Sequence, residues 1–168
     1  MRPCAAVSHL EVGSGTDVGA RRGNQAAGRK FDRFVGAVSS SRTMPDSLVI
    51  VDGSNVMGSR PDGWWRDRAG AARRLVAQLG EWAAVAERDV LVVFDGAPPA
   101  GLAAPARVEV RFARRRGPNA ADDDIAAFVA ADPTPERLHV VTSDAGLARR
   151  VREHGAEVVG ARVLLDQL

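Results

Sequence analysis

With 168 residues, 45% of them hydrophobic but only 5% aromatic, the chain has room for one ordinary domain and a tail, its core built mainly from Ala, Val and Leu. A single cysteine, Cys4, excludes an intramolecular disulfide framework and a cysteine-based zinc site, while apolar runs too short for a bilayer and the lack of a hydrophobic signal segment lead us to expect a cytoplasmic protein without membrane contact. The net charge of +2 excludes little, because residues 1–43 carry seven Lys/Arg against three Asp/Glu, whereas the remainder carries 16 basic against 18 acidic residues.

Residues 1–43 are rich in Gly, Ala, Ser and Arg and keep neither a helical nor a strand period. Such a segment buries too little apolar surface to offset its ordering entropy, so a disordered basic tail is expected. It reads either as an RNA-binding arm or as an extension ahead of a natural start at Met44. The folded domain is expected over residues 44–168. Leu48-Val49-Ile50-Val51 reads as a strand buried on both faces. Asp67 to about Ala86 reads as a helix, with Leu75, Val76, Leu79, Trp82 and Val85 at helical spacing. Val90 to Phe94 is a second buried strand. Val108 to Phe112 alternates and is expected nearer an edge. A helix over Ala121 to Ala130 ends before Pro133 and Pro135. Leu138 to Val141 is a fourth strand. Asp144 to His154 is a helix with Gly155 just past its end. A short strand, Glu157 to Val159, and a helix from Ala161 to Leu168 follow. Strands alternating with helices predict an α/β domain, Rossmann-like and three-layered, with a mainly parallel sheet of about five strands.

In open parallel sheets function sits at the carboxyl ends of the strands. The first strand ends Asp52-Gly53-Ser54-Asn55, the second Phe94-Asp95-Gly96, the fourth Thr142-Ser143-Asp144, and the helix after the third opens Asn119-Ala120-Ala121-Asp122-Asp123-Asp124. One Asp after a strand is an ordinary turn or capping residue, and acids in a first helical turn are ordinary too. Several carboxylates crowded at one edge repel one another, however, and a hard cation such as Mg²⁺ or Mn²⁺ removes that cost. Ile125 and Val129 lie three and seven residues beyond Asp122, which places Asp122 on the inward helix face. Asp123 is expected to assist from behind the site, and Asp124 to be a solvated first-turn acid.

This ordered set of motifs, Asp52-Gly53-Ser54-Asn55-Val56, Val93-Phe94-Asp95-Gly96, Asn119 to Ile125 and Val141-Thr142-Ser143-Asp144, resembles the PIN-like superfamily, and within it the YacP-like branch of the NYN group. The resemblance covers roughly Ser47 to Leu168. It implies a Rossmann-like fold and a metal-dependent ribonuclease using Mg²⁺ or Mn²⁺. It also implies Asp52, Asp95, Asp122 and Asp144 as the metal-site acids, with Asn55 and Thr142 or Ser143 as their polar partners. Ser54 stands where many relatives carry a bulky aromatic, so the preferred RNA is not carried over. Neither the number of ions nor endonuclease as against exonuclease action is fixed by these residues.

Arg111, Arg114, Arg115 and Arg116 precede Asp122 and suit phosphate contacts. Trp64 and Trp65, flanked by Arg60, Arg66 and Arg68, offer faces on which RNA bases stack, although a tryptophan more commonly packs inward. His139 and His154 are expected to be structural. The competing readings are an RNA-binding or ribosome-associated module of the same fold with little catalysis, and a growth-inhibiting toxin nuclease with a paired antitoxin. In every case the partner is RNA: messenger, transfer or ribosome-associated. Asp-Gly-Ser in place of Asp-x-Asp argues against a haloacid-dehalogenase site, the lack of lysine in the folded part argues against a receiver domain, and a glycine-rich phosphate loop is absent.

Overall fold

The computed structural model describes residues 47–117 and 119–168. The expectations about residues 1–43 lie outside that range. Five strands form one sheet: β1 (Leu48–Asp52), β2 (Asp89–Phe94), β3 (Val108–Phe112), β4 (Leu138–Val141) and β5 (Glu157–Val159). Their order is β3-β2-β1-β4-β5 and every pairing is parallel. The helices are α1 (Gly53–Gly58), α2 (Arg68–Ala86), α3 (Ala120–Ala131), α4 (Ala145–Glu153) and α5 (Ala161–Leu165).

Strand side chains point alternately to the two faces, so a strand apolar at every position needs cover on both. Val49 and Val51 of β1 and Val90, Val92 and Phe94 of β2 join the core with α2 and α5, including Leu75, Leu79, Trp82 and Leu164. Ile50, Leu91 and Val93 face the other way, onto Ile125 and Val129 of α3 and Leu147 and Val151 of α4. That division makes the three layers. β3 lies at an edge with alternating burial, as its alternating sequence predicts.

Three details depart from the expected elements. Residues 53–58 form a short helix directly after β1, and Asp52 caps it. The last helix stops at Leu165 rather than Leu168. Val85 sits on α2 at helical spacing from Trp82, yet it is 87% exposed, because it lies past the margin of the stripe that faces the sheet. No helix joins β2 to β3. The connection crosses α2 as a loop, and Pro105 packs onto Gly80, where a Cβ would lie 2.5 Å from the proline ring. Among the described residues, no helix is long and apolar enough to cross a membrane.

Chain order sets the functional edge. From β1 the chain moves to β2 on one side and later to β4 on the other, so the crevice beside the carboxyl end of β1 is the topological switch point.

Candidate active site

Register delivers the acids to that crevice. Asp52 pairs with Val93, which puts Asp95 just past the end of β2, and Val51 pairs with Val141, which puts Asp52 level with Thr142. Gly53 keeps the layers close: a Cβ there would run into the Phe94 ring. Asp52 is 2% exposed and both of its oxygens are occupied. Oδ1 accepts the Asn55 backbone N–H at 3.0 Å, and Oδ2 accepts the Thr142 hydroxyl at 3.1 Å. Asp95 accepts the Ala121 N–H at 2.9 Å, which fastens the start of α3 to the end of β2. Asp144 caps α4 by accepting the Leu147 N–H at 2.8 Å. Three of the four acids therefore also hold a helix N-terminus, where the orphan N–H groups need an acceptor.

The polar residues complete a network across β1 and β4. Thr142 Oγ1 accepts the Asp144 N–H at 3.1 Å while donating to Asp52. Asn55 Oδ1 accepts the Ser143 N–H at 2.8 Å, which turns the Asn55 amide NH₂ away as a remaining donor. Ser143 Oγ accepts the Ala161 N–H at 3.1 Å, tying this edge to α5.

The electrostatics are those of burial compounded by like charges. Burial first, and then the Asp122 and Asp95 carboxylates, push the Asp52 pKa up to about 6, against the Asn55 N–H and Thr142 hydroxyl. Asp122 is half-buried on the face shared with Ile125 and Val129. Burial raises its pKa too, followed by the carboxylates of Asp144 and Asp95, with Arg150 opposing them. The four acids thus act on one another across one edge. Their donors are all hard oxygens, the type that Mg²⁺ and Mn²⁺ take. Among the described residues, no three Asp, Glu, His or Cys side chains gather tightly enough to enclose an ion unaided.

The other expected site residues separate. Asp123 is exposed and pairs with Arg150 at 2.9 Å. Asp124 is not the solvated acid expected. It accepts the Arg114 backbone N–H at 2.9 Å and the guanidinium Nε and Nη2 at 3.1 and 3.0 Å, and the backbone bond leads in holding its pKa below the usual range. Arg114 is accordingly fastened to its loop, and Arg111 pairs with Glu109 at 2.6 Å and lies over the Phe128 ring. Arg115 and Arg116 are exposed and make no ion pair among the described residues. Trp64 packs partly against the core under the Arg68 guanidinium, whereas Trp65 stands edge-on to it and 60% exposed.

Two participants escaped the sequence reading. Ser54 Oγ accepts the Asp95 N–H at 3.0 Å and so links the ends of β1 and β2. Its place inside Asp52-Gly53-Ser54-Asn55 was the available signal. Arg150 had none, since its partner Asp123 is 27 residues away.

A parallel sheet in this order, with acids gathered at its switch point, is the architecture of the PIN-like nucleases. The chain belongs to the YacP-like NYN domain family, whose model matches residues 49–168. Among solved structures it is similar to Rae1 (YacP) from Bacillus subtilis, with 28% identity, a TM-score of 0.58 and coverage of 71% of this chain and 72% of that one. A tryptophan-to-leucine mutant of the same protein gives 27%, 0.59, 72% and 74%. No curated protein matches significantly.

Proposed function

We propose that the chain is a Mg²⁺- or Mn²⁺-dependent ribonuclease that hydrolyses RNA phosphodiester bonds at Asp52, Asp95, Asp122 and Asp144. The observation that carries this is the crowding of mutually repelling carboxylates at the switch point of a nuclease-family fold. A fold without a ligand there has no use for that repulsion. The open oxygens of Asp95, Asp122 and Asp144 would hold the ion together with water and substrate oxygens, as is usual for Mg²⁺. When bound, the ion would polarise the phosphoryl group and lower the pKa of water. Asp52, fixed by Asn55 and Thr142, sets the negative potential of the floor. The Asn55 NH₂ is placed to orient a water or a phosphate oxygen, and Ser54 and Thr142 keep the strand ends from spreading. Arg115 and Arg116 contact backbone phosphates, and Trp65 offers its exposed face to an unpaired base. Cytoplasmic action on messenger, transfer or ribosome-associated RNA belongs to the same reading.

One observation favours a second reading, an RNA-binding module without turnover: three of the acids cap helices, so folding alone could retain them. A paired measurement separates the two. Wild type and Asp52→Asn are compared for cleavage of mixed cellular RNA, with Mn²⁺ or EDTA, and for RNA binding. As a nuclease, wild type cuts only with metal, and Asp52→Asn loses about two or more orders of magnitude in rate, roughly 3 kcal/mol, while binding changes little. Wild type that binds RNA but cuts no faster than the variant leaves the binding module.

A further inference from the structure

Arg150 lies in the second turn of α4, and its guanidinium Nη1 is 2.9 Å from Asp123 Oδ1 on α3. The two side chains are 40% and 55% exposed, so solvent screens the pair and it adds little to the joining of the helices. Its charge nevertheless reaches the acid cluster, where it offsets part of the push of Asp144, Asp95 and Asp123 on Asp122. The arginines on the other flank are arranged differently. Arg114 gives two guanidinium nitrogens and its backbone N–H to Asp124, and Arg111 is held by Glu109 and Phe128. Arg150 has one contact, to a carboxylate open to water, and among the described residues its other N–H groups have no partner. A planar guanidinium with free donors is shaped for phosphate.

Its position gives those donors a target. The loop of Arg115 and Arg116 enters α3 from the β3 edge, while α4 follows β4 on the far side of β1. The acids lie between the two, so a phosphate backbone crossing them would meet arginine on both flanks.

We propose that Arg150 is an RNA-phosphate contact on the α4 flank of the site, held by Asp123 until the substrate's phosphate displaces that carboxylate. The proposal rests on the ribonuclease reading above. It makes Asp123 a competitor of the substrate for one guanidinium.

The test uses the full chain and a labelled single-stranded RNA. Binding is followed across a salt series, and cleavage with Mn²⁺, for wild type, Arg150→Ala, Arg150→Lys, Asp123→Ala and the double alanine variant. Removing one single-strand phosphate contact lowers the salt slope by about 0.7. Arg150→Ala is expected to show that drop and a KM raised about five- to tenfold, with kcat within about threefold. Arg150→Lys keeps most of the slope, as a point charge would. Asp123→Ala releases the guanidinium and lowers KM about two- to threefold, and the double variant loses that gain. Unchanged slope and KM in Arg150→Ala, with equal drops in Tm for both single variants, would show a helix staple and overturn the proposal. A loss confined to kcat would overturn it also. Should Arg150→Ala not fold, Arg150→Lys and Asp123→Ala still decide: a KM indifferent to both overturns it. Wild type that cuts RNA while these variants match it sinks Arg150 alone; wild type that neither binds nor cuts RNA sinks the ribonuclease reading with it.

Discussion

The strand-end cluster and the clasp between β3 and α3 are built from the same residue type, and they treat charge in opposite ways. Asp122 and Asp124 share the start of one helix. Asp124 meets Arg114 with both oxygens, and its proton affinity falls. Asp122 is half-buried and faces other carboxylates, and burial first, then those charges, raise its proton affinity. A neutralised acid holds a loop. An acid left facing its own kind at the switch point of a parallel sheet is the arrangement on which the proposed metal site rests. Depth does not make this distinction: grooves of about 260 and 310 Å³ lie elsewhere, along α2 and the chain's last residues, and are lined by Gln78, Leu168 and their neighbours rather than by the acids.

The sharpest way to break the comparison is to neutralise each acid in turn. Asp122→Asn should lower kcat by about two or more orders of magnitude, because it removes charge from the reacting centre. Asp124→Asn should leave kcat within a fewfold and lower stability by about 1–2 kcal/mol, because it weakens the charge-assisted bonds that hold Arg114. Steady-state kinetics and a denaturation curve for each variant decide it. Equal losses of kcat would mean that the two acids do not differ in kind.

The electrostatic half of the comparison can be read from stability against pH. The Asp52 pKa stands at about 6 in the folded chain against an ordinary 3.8. Between those values the native state holds a proton that the unfolded chain has released. Stability from this group is therefore fully present below about pH 4, falls as pH rises, and is lost above about pH 6. Two pKa units correspond to about 3 kcal/mol. Asp52→Asn mimics the protonated form. With EDTA present, its advantage over wild type should grow from near zero at pH 4 to at most about 3 kcal/mol at pH 7. A difference that does not vary with pH would show that neither burial nor the neighbouring carboxylates raise the Asp52 pKa in the folded chain.

The parts legible in the sequence are those governed by local period. Val49, Ile50 and Val51 announced a strand covered twice, and the spacing of Asp122, Ile125 and Val129 placed that acid inward. The arrival of Asp52, Asp95 and Asp144 at one edge followed from strands running parallel. What stayed hidden depends on partners distant in sequence. Arg114 reaches Asp124 across ten residues, and Arg150 reaches Asp123 across 27. The helix Gly53–Gly58 is too short to show a period and exists because Asp52 caps it and Val56 and Met57 are buried beneath it. Val85 carried the right spacing and still faces water, since spacing fixes a stripe but not its width.

The smallest effect separates arginines that hold the loop from arginines that face solvent. Arg114, Arg115 and Arg116 are adjacent and chemically identical, so sequence treats them alike. Only Arg114 is hydrogen-bonded to Asp124, Arg115 acts on it through charge alone, and Arg115 and Arg116 are exposed. Replacing the last two by Ala should flatten the salt dependence of RNA binding by about 0.7 for each phosphate no longer neutralised, up to about 1.4, and weaken binding by roughly tenfold near 0.1 M salt. Tm should hold, because no bond of the fold is removed. Arg114→Ala should do the reverse: lower Tm by a few degrees as Asp124 is deprived of its guanidinium partner, with a smaller change in salt slope. Binding isotherms at several salt concentrations, paired with melting curves, give both quantities. If Arg114→Ala flattened the slope as much as the double replacement and left Tm alone, the clasp would be no clasp, and Asp124 and Asp122 would differ only in how deeply they are set.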